Sequence, residues 1–69
     1  METVFVGKGF EIVRVEDTEL FKAALYALCK RGIPCLANVT ENTIVVDAMF
    51  DEELDEIDLL INHPKTSDA

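Results

Sequence analysis

Apolar side chains fall into four short runs along the chain and recur at helical spacing in two longer stretches. The short runs are rich in valine, isoleucine and phenylalanine, the residue types that suit a pleated sheet. Turn-forming glycine and asparagine residues stand between them. The pattern predicts strands over residues 3–6, 10–15, 35–40 and 43–47.

Two short connections join these predicted strands into hairpins. Gly7, Lys8 and Gly9 form the first, with glycines available for the positive φ values of a tight turn, and one bulged strand is the alternative. Glu41 and Asn42 form the second, a two-residue turn in which asparagine tolerates the left-handed backbone. The chain is therefore expected to contain two hairpins.

An amphipathic helix is predicted between the hairpins. The Asp17 side chain can accept hydrogen bonds from the first free backbone N–H groups, and Glu19 favours the positive end of the helix dipole. Gly32 suits the left-handed position after the last turn and Pro34 prevents continuation, so the helix is expected to end near Arg31. At about 100° per residue, its predicted core side consists of Leu20, Phe21, Ala24, Leu25, Ala27 and Leu28.

A second helix is predicted from Asp51 to about Asn62, because Pro64 lies just beyond its end. The residues after it, HPKTSDA, are short of apolar side chains and are expected to fray. The predicted core side of this helix consists of Leu54, Ile57 and Ile61.

The predicted order of elements, ββαββα, indicates an α+β fold. Each helix has one apolar side, so both are expected to cover the same face of a small, mostly antiparallel sheet of three to four strands. A right-handed crossover is expected if the two strands joined by the first helix are parallel neighbours. The prediction is a two-layer sandwich in one domain, residues 1–62, followed by a flexible tail, residues 63–69.

The formal net charge of −8 lies entirely in the second part of the chain. Residues 1–40 contain five acidic and five basic side chains, whereas residues 41–69 contain nine acidic side chains and one basic one. Nucleic-acid backbones and anionic membranes attract positive charge, so direct binding to either is disfavoured. The favoured partner is another protein with a basic surface.

No set of residues in the sequence predicts catalysis or a cofactor. His63 and Ser67 are the one histidine and the one serine, and both lie in the predicted tail, without the rigid surroundings that a catalytic base or nucleophile needs. Cys29 and Cys35 lack CxxC spacing, and two reduced thiols are favoured over a disulfide. A non-enzymatic protein is therefore expected.

Metal binding and membrane association are also disfavoured. The two cysteines have no second ligand pair for zinc, and residues 47–58 lack the glycine and the alternating oxygen ligands of a calcium loop. The N-terminus has no signal-peptide pattern, and no segment reaches the roughly 18 apolar residues of a membrane span. These features predict a cytoplasmic protein without a metal.

The second helix carries six carboxylates within residues 51–58 and no lysine or arginine to relieve their repulsion. The three in its first turn suit the helix dipole, and the other three need another explanation. Leu59 is turned about 140° from Leu54 and is expected to point outward among the acids. The helix presents either a solvated face or a binding surface, whose candidate residues are Glu52, Asp55, Glu56, Asp58 and Leu59.

Two hypotheses for function follow. The first is a protein-binding module whose acidic second helix docks on a basic surface, inhibiting a nucleic-acid-binding protein by mimicking nucleic acid. In size and charge the chain resembles small acidic phage proteins that block a host nucleic-acid enzyme. The alternative is a small regulatory or ligand-sensing domain that acts as a homo-oligomer, with a homodimer as the simplest form.

The alternative has a resemblance of its own. The segment from Thr18 to Ile61, with KRGIPC after an amphipathic helix, resembles small prokaryotic domains described as signal transducers and related in fold to nitrogen-regulatory PII proteins. The resemblance implies a regulatory role and assigns no functional residue.

Overall fold

The computed structural model describes residues 1–62, so the predicted tail, with His63 and Ser67, lies outside the described residues. Each helix begins at the residue that the sequence predicted. Asp51 is preceded by one turn of 3-10 helix, Ala48–Phe50. The strands and helices are β1 (Glu2–Gly7), β2 (Phe10–Arg14), α1 (Thr18–Lys30), β3 (Cys35–Asn38), β4 (Thr43–Asp47) and α2 (Asp51–Asn62).

The four strands form one sheet in the order β1-β2-β4-β3, and every neighbouring pair is antiparallel. This confirms the predicted α+β fold with ββαββα order. The two strands joined by α1, β2 and β3, run in the same direction because each is antiparallel to β4. They are not neighbours, since β4 lies between them.

A single apolar core joins the sheet to the two helices. In the central strands β2 and β4, buried residues alternate with residues that are half-buried or exposed, and the buried ones face the helices. Leu28 of α1, Ile44 of β4 and Ile57 of α2 are completely buried, so each removes a full aliphatic side chain from water, worth about 1.5–3 kcal/mol. The buried apolar residues are Val13, Val15, Phe21, Ala24, Leu28, Ile33, Ile44, Val46, Leu54 and Ile57.

Both ends of α1 follow the predicted capping chemistry. One carboxylate oxygen of Asp17 accepts hydrogen bonds from the backbone N–H groups of Glu19, at 2.9 Å, and Leu20, at 3.2 Å. Arg31 is the C-cap, and Gly32 follows it with a φ of +70°, a left-handed conformation that a side chain would strain. The helix boundaries were therefore predictable from local residues alone.

The turns of both hairpins differ in length from the prediction. Gly7 pairs with Phe10, so the first turn contains only Lys8 and Gly9; the single bulged strand is wrong, although a bulge does interrupt β1 near its start. The second connection has four residues, 39–42, rather than two. The Asn38 side chain accepts hydrogen bonds from the next two free backbone N–H groups, which ends β3 early.

The start of α2 is capped by a residue that the sequence reading placed in a strand. The Asp47 carboxylate accepts a hydrogen bond from the backbone N–H of Met49 at 2.9 Å and so caps the 3-10 turn. Asp51 already has helical backbone angles, with φ −58° and ψ −42°. Its carboxylate therefore has no capping role at this end of the helix.

Candidate functional site

The acidic outer side of α2 is exposed as predicted. Leu54 and Ile57 are buried against the core, which turns the opposite side of the helix to solvent. Leu59 is 60% exposed and its neighbour Leu60, which the sequence reading did not single out, is exposed as well. We use the term acidic surface for the exposed residues Glu52, Asp55, Glu56, Leu59 and Leu60.

Glu56 is held by a cation from the other helix. An Nη atom of Arg31 donates a hydrogen bond to Oε1 of Glu56 at 2.7 Å, and the two residues are 25 positions apart in the chain. Both side chains reach solvent, so the pair contributes at most about 1 kcal/mol of stability. Glu56 remains at the surface, but part of its charge is balanced within the molecule.

Of the five candidate residues, Asp58 has the side chain that accepts the most hydrogen bonds from within the fold. The N-terminal amine of Met1 donates a hydrogen bond to Oδ1 of Asp58 at 2.7 Å, and the amide of Asn62 donates to the same oxygen. Asp58 is half-buried, whereas the other four candidates are exposed. Its first role is therefore to join the N-terminus to α2, and it offers less to an external partner than Glu52 or Asp55 does.

A buried carboxyl group lies beneath the start of α2. Glu11 of β2 is only 5% exposed and points to the helix-facing side of the sheet, like Val13 two residues later. Burial raises the pKa of the Glu11 carboxyl, and a hydrogen bond with the Asp51 carboxyl and the charges of Asp51 and Asp55 raise it further. Two carboxyl groups that share a hydrogen bond must share a proton, so acid favours this contact.

This carboxyl cluster does not have the geometry of a metal site. Within residues 1–62, no three histidine, cysteine, aspartate or glutamate side chains come together in a way that could hold a metal ion. The sequence reading missed Glu11, although a signal was available. Glu11 is separated by two and four residues from Val13 and Val15, so the alternation of side chains along a strand places it on the same, buried side.

The sheet surface opposite the helices, which we call the open face, is largely apolar. Directly paired residues of antiparallel strands point to the same side, so the register aligns one residue from each strand in a row across the sheet. Phe5 pairs with Ile12, Ile12 with Val45, and Val45 with Leu36. The apolar row of the open face is therefore Phe5, Ile12, Val45 and Leu36.

Along the predicted third strand alone, residues 35–40, Leu36 shares its side with Asn38 and Thr40, so that side is half polar. The two central strands change that conclusion, because Ile12 and Val45 also point outward. Phe10 adds to the apolar area, with its ring centroid 5.3 Å from that of Phe5. Neither described helix covers this face.

An open cleft of about 390 Å³ lies where the N-terminus, the start of α1 and the end of α2 meet. Arg14 lines it, and an Nη atom of Arg14 donates a hydrogen bond to Glu2 at 2.9 Å. Three carboxylates, Glu2, Glu16 and Asp17, line the same cleft. The cleft is therefore a poor site for an anion, and Arg14 is already engaged.

Cys29 and Cys35 both carry free thiols. Burial, and then the neighbouring Cys29, raises the pKa of the Cys35 thiol, so less of it is present as the reactive thiolate at neutral pH. Cys29 is exposed on α1. These surroundings make Cys35 a weaker nucleophile than an ordinary thiol.

Comparison of the chain with protein-family models, with curated proteins and with solved structures finds no match. In the part of the chain that the structure describes, neither helix has the length and apolar character needed to cross a membrane.

Proposed function

We propose that the chain is a non-enzymatic protein-binding module whose acidic surface on α2 docks on a basic surface of a partner protein. The observation that carries the proposal is Leu59, which is 60% exposed among Glu52, Asp55 and Glu56. An apolar anchor surrounded by charged groups is the usual arrangement of a small interface, in which the anchor supplies affinity and the charges supply specificity and rate.

The ion pairs of the fold narrow the proposed contact residues. Glu56 is partly balanced by Arg31, and Asp58 is bound to the N-terminal amine. The salt bridges within residues 1–62 include neither Glu52 nor Asp55, and both are exposed. Glu52, Asp55 and Leu59 are therefore the residues on which the proposal rests most directly.

A more specific form of the proposal is that α2 inhibits a nucleic-acid-binding protein by mimicking the nucleic-acid backbone. Six carboxylates within eight helical residues are spaced about one per 2 Å of axis, close to the one charge per roughly 1.7 Å of duplex DNA. A protein groove built to bind a nucleic-acid backbone would accept such a helix through the same lysine and arginine side chains. Bound there, α2 would exclude the nucleic acid.

The test is affinity capture from lysate of the native host with two variants of equal charge. Glu52→Lys/Asp55→Lys reverses the proposed contact residues, and Glu16→Lys/Glu41→Lys makes the same change in net charge at exposed positions outside α2. We expect the first variant to lose the captured partner and the control to retain it. The reversal avoids Glu56 and Asp58, so both described ion pairs of α2 remain intact.

Two further measurements decide the mechanism. The captured partner should bind the wild-type chain at least ten times more weakly at 300 mM than at 50 mM salt, and excess duplex DNA should release it. Retention of the partner by Glu52→Lys/Asp55→Lys would contradict the proposed surface. Retention in excess DNA would leave the surface in place and rule out mimicry.

A further inference from the structure

We infer that the open face of the sheet is a homodimer interface, on which a second copy of this chain packs its own open face. The inference concerns the layer opposite the acidic surface, so it is independent of the function proposed for α2. It starts from the apolar row of Phe5, Ile12, Val45 and Leu36, which runs across all four strands. Leu36 is 73% exposed, and an uncovered apolar band of this kind is typical of an interaction surface.

The order of residues in the row favours a second copy as the occupant. Phe5 and Leu36, which branch beyond Cβ, stand at its two ends, and the β-branched Ile12 and Val45 stand in the middle. The row therefore has a similar order of side-chain shapes when read in either direction. A two-fold axis between the faces and parallel to the strands would place Phe5 opposite Leu36 of the second copy, and Ile12 opposite Val45 of the second copy.

The polar positions of the open face are compatible with the same axis. The row next to the apolar one consists of Glu2, Arg14, Thr43 and Asn38, in which Arg14 and Glu2 form an ion pair at 2.9 Å. The axis places Arg14 opposite Thr43 of the second copy and Glu2 opposite Asn38 of the second copy. No like charges face each other in this row. On the other side of the apolar row Phe10 pairs with Asp47, so the axis places Phe10 opposite Asp47 of the second copy. The Asp47 carboxylate there accepts a hydrogen bond from the backbone N–H of Met49.

The distribution of charge also favours packing through this face. Self-association of chains with a net charge of −8 is opposed by repulsion, and the acidic residues of α2 lie on the helix layer. Sheets pack about 10 Å apart and each helix layer lies about 10 Å beyond its sheet, so the two α2 helices would be about 30 Å apart. That separation is about three Debye lengths at 0.1 M salt, and the repulsion is largely screened.

The area of the open face is sufficient for a weak dimer. Four strands of about five residues make a face of about 19 by 17 Å. Because side chains project from this face and add accessible area, two copies would together bury on the order of 1,000 Å². This is below the roughly 1,200–2,000 Å² of stable specific interfaces and within the range of weak, transient ones, so we expect a dissociation constant of about 1–100 µM.

The test is the molar mass of the full chain between about 1 µM and 1 mM, by sedimentation equilibrium, with two variants matched in exposure. Leu36→Glu places a charge in the apolar row, and Val39→Glu places the same charge in the β3–β4 loop, where the native valine is 72% exposed. We expect the wild-type mass to rise toward twice 7.7 kDa. Leu36→Glu should raise the dissociation constant at least about 100-fold, since both copies carry it, and Val39→Glu should change it less than about 3-fold.

Leu36→Ala provides a milder variant that adds no charge, and it should weaken the dimer by about tenfold. Circular dichroism at 1 µM should show that all three variants are folded as monomers. A wild-type chain that is monomeric at 1 mM would overturn the inference. A dimer that Leu36→Glu leaves unchanged, or that Val39→Glu weakens equally, would place the contact elsewhere, for example at the strand edges, and would overturn it too.

The proposed axis makes a second prediction, which a mixed-label NMR sample checks. Phe5 and Leu36 stand three strand spacings apart, about 14 Å, too far for a nuclear Overhauser effect within one chain. An isotope-filtered experiment on labelled and unlabelled chains should therefore show contacts between the Phe5 ring and the Leu36 methyl groups of the second copy. A dimer without these contacts would refute the arrangement. Salt should change this dissociation constant little, in contrast to binding through α2.

Discussion

Glu11 shows how one residue can oppose the fold around it. Its position on β2, in step with Val13, places its carboxyl group inside the core, where the charged form loses its hydration. Burial raises the pKa of Glu11, and Asp51 and Asp55 raise it further, so Glu11 binds its proton more tightly in the folded chain than in the unfolded chain. The neutral form stabilises the fold below the ordinary carboxyl pKa, and this stabilisation is lost as pH rises through the raised value.

Glu11→Gln should therefore gain stability relative to wild type as pH rises from 4 to 7. Glutamine keeps the size and can donate a hydrogen bond to Asp51, but it carries no charge at any pH. Urea unfolding at several pH values measures the difference, and taking the difference removes the titration of the carboxylates that do not interact with Glu11. The two stability curves should coincide near pH 4 and separate toward pH 7. Parallel curves would show that Glu11 titrates normally in the folded chain.

At the scale of the element, each helix follows from short-range chemistry, whereas the strands do not. Asp17, Gly32 and Pro34 define the ends of α1 because caps and backbone constraints act within a few residues. β3 ends at Asn38, whose side chain accepts hydrogen bonds from the backbone N–H groups of Thr40 and Glu41. These bonds compete with two further residues of sheet pairing. Propensity alone cannot decide that competition, so the sequence reading extended β3 by two residues.

The contact between α1 and α2 includes an ion pair and an apolar interface, and their contributions should differ greatly. A double-mutant cycle with Arg31→Met and Glu56→Gln should give a coupling energy of about 0.2–1 kcal/mol that decreases with salt, since both groups reach solvent. Ile57→Ala, at the buried side of α2, should cost about 2–5 kcal/mol. Denaturant unfolding measures both. A coupling energy comparable to the cost of Ile57→Ala would mean that the ion pair, rather than apolar packing, holds the helices together.

For the whole molecule, the concentration of negative charge in one part of the chain and the small size of the core are both expected to lower stability. A chain of 69 residues buries a modest core, so we expect repulsion among the acidic side chains of residues 41–58 to lower its stability noticeably. Arg31 and the N-terminal amine offset part of this repulsion by contacts that are 25 and 57 residues apart in sequence. Spacing rules within one helix consider only residues three or four positions away, so they do not predict cations that come from distant parts of the chain.

Screening the remaining repulsion should stabilise the fold. Raising sodium chloride from about 50 to 500 mM should increase the melting temperature of the wild-type chain by a few degrees, as the Debye length shortens from about 14 to about 4 Å. Glu52→Gln/Asp55→Gln removes two exposed carboxylates and should show a smaller increase. Calorimetry at low protein concentration keeps any dimer out of the measurement. An equal response in both chains would show that the acidic surface does not destabilise the fold.

The sequence predicted which side of α2 is exposed, but it did not predict which of the acidic residues form ion pairs within the molecule. Leu59 faces outward, as helical spacing from Leu54 required, and Glu52 and Asp55 are exposed with it. The pairing of Glu56 with Arg31 and of Asp58 with Met1 depends on how α1, α2 and the N-terminus meet in space. Sequence spacing describes one helix at a time, so it could separate Glu52 in the first turn from the three later acids but could not show which of the four acids pair with other parts of the fold.

Local patterns along the chain were enough to predict the order ββαββα, the ends of α1, the inward residues of α2 and the location of the net charge, because periodicity, capping and charge act over a few residues. Three features emerge only when the chain is folded: the strand order β1-β2-β4-β3, the burial of Glu11, and the alignment of Phe5, Ile12, Val45 and Leu36 across the open face. These features depend on pairing between distant segments. A row of side chains across a sheet exists only once the register of every strand is set.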